Sequence, residues 1–172
     1  MIRGRQQALR LGEDGLTVVE ILLAVAIIGV ALGGLGIVVP VSSYAVQDGN
    51  QLSTATFLAE QMLERARAAT WTAGPAVDCL GVSTGDAAPV PTGATCHDTA
   101  ATPFPDEAGV SGHPQYRRNV RVTSCAVTPC AGVTSEGMRL VEVTVAYTPL
   151  AGAGSVSTSP KTVRLAWLVA QK

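Results

Sequence analysis

The sequence predicts an α+β fold in which one long N-terminal helix packs on a small antiparallel sheet, and three observations predict it. Residues Leu16 to Val39 form an apolar run broken only by the hydroxyl of Thr17 and the carboxylate of Glu20. From Val41 to Thr70, apolar and small residues recur at three- and four-residue steps among polar ones. In the last third of the chain, three segments alternate apolar and polar residues with period two.

The first helix is long enough to span a membrane. Leu16 to Val39 is 24 residues; at about 1.5 Å per residue that is roughly 36 Å, against a hydrocarbon core of about 30 Å. Its leader, residues 1–15, carries Arg3, Arg5 and Arg10 against Glu13 and Asp14. A basic flank before a spanning helix stays cytoplasmic, so the bulk of the chain faces outward. An ordinary secretory signal would need a small-residue cleavage site in a polar setting, and Ala24-Val25-Ala26 lies inside the apolar run instead. That reading leaves Glu20 unexplained; a plain uncleaved signal anchor is the other alternative. A soluble core helix is disfavoured by the length of the run and by Gly33, Gly34 and Gly36, each costing about 1 kcal/mol relative to Ala in a helix in water. An acidic side chain near the centre of a spanning helix costs roughly 2.5–3.5 kcal/mol, and less toward its end, so Glu20 calls for a partner.

The residues Gly15-Leu16-Thr17-Val18-Val19-Glu20, followed by a hydrophobic frame through Ala26-Ile27-Ile28-Gly29, resemble the class III signal of type IV prepilins and pseudopilins. The resemblance implies cleavage between Gly15 and Leu16 by a prepilin peptidase, methylation of the new Leu16 amine, and an assembly role for Glu20 as the fifth residue of the mature chain. It also implies a pilin-like head, partnership with other pilin or pseudopilin subunits and an inner-membrane assembly platform, and residence in membrane lipid before assembly. Leu16 stands where Phe is commoner. Pro40, placed further along than in many major pilins, together with Gly33-Gly34-Leu35-Gly36, looks more like minor pilins and secretion pseudopilins than like an abundant subunit.

The expected organisation is a cytoplasmic leader (1–15), a transmembrane assembly helix (16–40), an amphipathic continuation (41–70) and an extracytoplasmic head (71–172). Pro40 lacks an amide donor and, beside the nearby glycines, is placed to bend or locally open the helix. Leu52, Ala55, Ala59, Met62, Ala66 and Ala69 form the expected core face of the second half. Thr72-Ala73-Gly74-Pro75 ends the helix near Trp71. Residues 74–115 are rich in proline and small residues and read as loop. In the strands, Tyr116, Val120 and Val122 point inward in the first, Val141, Val143, Val145 and Tyr147 in the second, and Val163, Leu165, Trp167 and Val169 in the third.

Four cysteines in an outward-facing domain indicate an oxidising compartment, and four allow three pairings. The short spacing of Cys125 and Cys130 suggests a local bridge, which leaves Cys79 with Cys96 across the loop. Zinc bound with the help of His97 or His113 is the alternative; the irregular spacings and the lack of a CxxC pair speak against it.

The sequence supplies no nucleophile, oxyanion hole or paired acid and base, so neither a catalytic residue nor a cofactor is expected; His97-Asp98, Ser111 and His113 read as loop residues. The formal net charge of −1 excludes a general nucleic-acid bias. Arg117, Arg118 and Arg121 are a weak phosphate-binding candidate, read here as a solvated strand face because no aromatic platform is interleaved with them. Two function classes remain: a structural subunit of a type IV pilus, type II secretion or competence filament, and a pilin-like tip module contacting DNA, a surface or a secreted substrate.

Overall fold

The computed structural model describes residues 17–73, 77–92, 96, 103–149 and 159–172. Gly15 and Leu16 lie outside them, as do His97 and Asp98. The chain divides into two compact units, residues 1–43 and 44–172.

One helix, α1 (Val18–Ala68), serves both units. It passes through the glycine cluster and through Pro40 without the local opening expected there. Pro40 has no amide to donate to the Gly36 carbonyl, so the helical ladder loses one bond there while the helix continues on either side. In the first unit, Val18–Gly36 is long and apolar enough to cross a membrane, and none of that window is buried within the protein. Glu20 is its only charged side chain.

In the second unit α1 supplies one face of the core. Ala55, Leu58, Ala59, Met62, Leu63 and Ala66 are buried, and Ala69 packs against them. Leu52 does not join this row: it is 48% exposed. At that level the helix meets polar tips, with the Tyr116 hydroxyl donating to the Gln51 carbonyl at 3.2 Å and Lys161 Nζ 2.6 Å from Asp48. Leu52 lies on the flank of the row they define. Leu58 and Leu63 were outside the expected stripe and widen it to the face of a helix lying on a sheet.

Three strands, β1 (Tyr116–Ser124), β2 (Met138–Tyr147) and β3 (Lys161–Ala170), form an antiparallel sheet in the order β1-β2-β3. Val120 and Val122 on β1 and Val141, Val143 and Val145 on β2 are fully buried against α1. The register sets Val122 opposite Val141 and Val120 opposite Val143, so the branched side chains form cross-strand pairs on one face. The loop adds Leu80, Phe104 and Val110 to the same core.

The outer edge of β1 is closed by that loop. Arg118 exchanges backbone hydrogen bonds with Glu107 at 2.8 and 2.9 Å, and Tyr116 accepts from Val110 and donates to His113, both at 3.0 Å. The Val122 carbonyl accepts from the Ser83 amide at 2.8 Å, and its amide donates to Ser83 Oγ at 3.0 Å.

Cys79 is joined to Cys96 and Cys125 to Cys130. The first bridge spans 17 residues and the second 5. Closing a loop near 15 residues is worth about 3 kcal/mol on the chain-entropy account, and shorter loops are worth less. Replacing Cys79 and Cys96 with serine is therefore expected to increase protease cutting between residues 75 and 114 at least tenfold. The Cys125/Cys130 double serine variant should be cut there at nearly the parental rate. Limited proteolysis with peptide mapping makes the comparison, and equal lability of the two variants would contradict it.

Candidate functional site

Two places concentrate polar chemistry in apolar surroundings: the start of α1, and a buried ion pair under its end.

At the first, Thr17 precedes the helix and its hydroxyl accepts from the Glu20 amide at 3.3 Å, beside the backbone bond from that amide to the Thr17 carbonyl at 3.0 Å. Thr17-Val18-Val19-Glu20 thus has the spacing of a capping box, with the threonine as N-cap and the glutamate in the first turn. A carboxylate there also faces the positive end of the helix dipole. Glu20 therefore has a local reason for its position, independent of any partner. The T-x-x-E pattern was legible in the sequence, and sequence reasoning passed over it.

At the second, Asp78 and Arg139 are buried and paired through two parallel bonds, Nη1 to Oδ1 at 2.6 Å and Nη2 to Oδ2 at 2.8 Å. Arg139 Nη1 also donates to the Gly81 carbonyl at 3.1 Å, and the Gly81 amide donates to Asp78 Oδ1 at 2.8 Å. The guanidinium carbon lies 4.1 Å from the centroid of the Trp71 ring, which is fully buried. Burial pushes the Asp78 carboxyl upward, but the hydrogen bonds from Arg139 and Gly81 and the arginine charge outweigh it, holding the group below its ordinary value. Gly81 has a φ of +72°, and a Cβ there would come within 2.6 Å of the Val90 backbone, so only glycine fits. Asp78 adjoins Cys79, which places the pair at the root of the longer disulfide. Its geometry fastens β2, the loop and the end of α1 together; it offers no open position for a substrate.

The arginine cluster is not a solvated face. Arg118 points inward, is 5% exposed, pairs with Glu107 at 2.6 Å and donates to the Leu58 carbonyl on α1 at 3.0 Å. Arg121 is held by Asp106 through bonds of 2.7 and 3.0 Å, which raise its pKa despite partial burial. Arg117 remains exposed. The three side chains therefore form no common phosphate-binding surface. Period two already places residue 118 with 116, 120 and 122, and residue 139 with 141, 143 and 145, so both inward arginines carried a signal. His113 packs edge-on against Tyr116, with ring centroids 5.9 Å apart.

The chain is thus an α+β protein with an apolar helix that meets the length and composition of a membrane span, and a head containing two disulfides. Among known proteins, no family model, no curated protein and no solved structure matches it.

Proposed function

We propose that the chain is a structural subunit of a type IV pilus-like, type II secretion or competence filament, a minor pilin or pseudopilin assembled through its N-terminal helix after loss of residues 1–15. The observation that carries this reading is Glu20: a single charge in the first turn of an otherwise apolar, wholly unburied helical window. A protein that needed only an anchor would gain nothing from a carboxylate there beyond a helix cap. A protein whose helices associate side by side gains a directional contact, because the amine of a neighbouring chain and the carboxylate compensate each other where either alone is costly. The head would then be carried outside the membrane, its core and disulfides suited to an oxidising compartment.

Processing tests the reading. Protein recovered from assembled material in its native host is expected to begin at Leu16 with a methylated amine, as read by intact-mass and N-terminal peptide spectrometry. Gly15→Val should leave the precursor uncut in the membrane, because a branched side chain obstructs close backbone approach at the scissile bond. An intact leader in assembled protein, or normal maturation of Gly15→Val, would overturn the assignment.

A further inference from the structure

The connection between β1 and β2 ends in a rigid, uncharged tip. From Thr123 to Ser135 there is no charged residue. Two short rings hold this stretch: the Cys125–Cys130 bridge, and a tight turn in which Cys130 and Val133 exchange backbone hydrogen bonds, both at 2.9 Å. Ala131 and Gly132 in that turn have φ of +50° and +85°. An alanine in the left-handed region is held there against its own preference. Below the rings, the Cys125 amide donates to the Met138 carbonyl at 3.1 Å and the Ser135 amide to the Cys125 carbonyl at 2.9 Å. The bridge closes only 5 residues against the 17 of the other, and adds correspondingly less to stability. What it fixes is the presentation of Val127, which at 90% exposure is the barest large apolar side chain among the described residues.

A groove of about 530 Å³ lies on the side of α1 turned away from the sheet. Leu52 and Phe57 give it apolar surface, Gly49, Ser53 and Thr56 keep it open between them, and Glu60 borders it. Phe57 is 59% exposed. The Thr56 hydroxyl donates to the Leu52 carbonyl at 3.0 Å and is thus engaged within the helix. A Cβ at Gly49 would meet nothing within 4 Å, so no contact inside the chain calls for a glycine there.

Groove and tip belong to opposite ends of the head. Tyr116 at the start of β1 and Lys161 at the start of β3 reach α1 at Gln51 and Asp48, beside the groove. At the other end of the sheet, Ser124 stands opposite Arg139 and Arg139 opposite Val169, and Lys172 reaches the last turn of α1 at Arg67. The tip follows directly from Ser124. It therefore lies roughly 15–30 Å from the groove along α1, at about 1.5 Å per residue.

From the rigid neutral tip, the open groove and their placement at opposite ends, we propose that Val127 of one copy seats between Leu52 and Phe57 of a second copy, head to tail. The tip carries no basic residue for nucleic acid, and neither an aromatic nor a basic residue for a lipid interface. A protruding valine covers far less than the roughly 1,200 Å² of a stable complex, so it does not retain a partner arriving free from solution. It suits a chain already held nearby by another contact, as a second copy in an assembly is. A contact that joins unlike ends cannot close about a two-fold axis and propagates as an open row. Val127 then sets the axial register between heads, and the rigidity of its loop lowers the ordering cost of the contact. This inference rests on the assembly reading.

The test uses the full chain in assembled material from its native host, with the photo-cross-linking residue benzoylphenylalanine in place of Val127. Ultraviolet light is expected to join copies into a ladder of dimers, trimers and longer species, with the linked peptide mapping to residues 49–60. A charge exchange supplies the second readout. Phe57→Glu and Val127→Lys, both at exposed sites, should each lower incorporation into filaments at least fivefold with the melting temperature unchanged, because a lone charge is costly in an apolar contact. The double variant should return to within twofold of the parent. Parental incorporation of either single variant, a double variant no better than the worse single one, dimers without longer species, or cross-links confined to other segments or other proteins would each overturn the contact. With the parent chain recovered in filaments, such a failure leaves the assembly reading standing. Absence of the parent chain from filaments would overturn that reading, and this contact with it.

Discussion

Asp78→Asn is expected to lower the stability of the head by about 3–5 kcal/mol, the usual cost of leaving one member of a buried ion pair without its partner. Arg139 would remain 8% exposed beneath β2, with the Trp71 ring on one side and no compensating charge. For a domain of this size the loss lowers the melting temperature by on the order of 10 °C, measured by circular dichroism on oxidised protein. Asparagine still accepts from the Gly81 amide, so the effect belongs to the charge and not to the turn. Arg139→Met combined with Asp78→Asn removes both charges and should recover part of the stability. The same pair sets a pH dependence. The folded-state pKa of Asp78 lies below its ordinary value, so its stabilising contribution is complete above about pH 4 and is lost as pH falls through the lower folded-state value. The parent should therefore lose its advantage over Asp78→Asn in strong acid. A variant melting within a degree or two of the parent at neutral pH would refute the argument.

Glu20→Ala is expected to spare membrane insertion and reduce incorporation into filaments by more than tenfold, read by immunoblot of sheared-filament and membrane fractions at matched membrane levels. The structure supplies a competing explanation, since Glu20 belongs to a capping arrangement with Thr17. Two further variants separate the explanations. Glu20→Gln keeps a residue suited to the capping box and removes the charge; Thr17→Ala removes the cap, worth about 0.5–2 kcal/mol, and keeps the charge. An intersubunit ion pair, set against a desolvation cost of roughly 2.5–3.5 kcal/mol, predicts failure of Glu20→Gln and assembly of Thr17→Ala. The opposite pattern would assign Glu20 to the helix start alone, and equal incorporation of Glu20→Ala and the parent would remove it from the mechanism.

Much of this architecture is legible in the chain because period reports burial. Val141, Val143, Val145 and Tyr147 face inward as their alternation requires. Arg118 and Arg139 occupy inward positions for the same reason, yet polarity argues for solvent, and only their long-range partners Glu107 and Asp78 resolve the conflict. Those partners lie in loop sequence with no period. Leu52 fails in the opposite sense: its spacing suits the core row, and it is exposed because the tips of Tyr116 and Lys161, distant in sequence, meet the helix beside it. Trp167 shares the inward period of β3 and is half uncovered because, among the described residues, β3 is the last strand of the sheet. Local pattern specifies which face a residue takes; what covers that face is a property of the whole fold.

The placement of the core row on α1 has a consequence in time. Ala55 to Ala66 leave the ribosome before any strand that will cover them, and Val169 follows about a hundred residues later. At roughly 5–20 residues per second the row waits on the order of ten seconds for its sheet. Three of its buried members, Ala55, Ala59 and Ala66, are alanines. Attraction between apolar surfaces scales with area, so these three positions add little adhesion to other chains during that interval, and Leu58, Met62 and Leu63 carry what the row has. The bulk that fills the finished core arrives mostly with the later segments, on Trp71, Phe104, Tyr116 and the strand valines, when its binding partner is already in place.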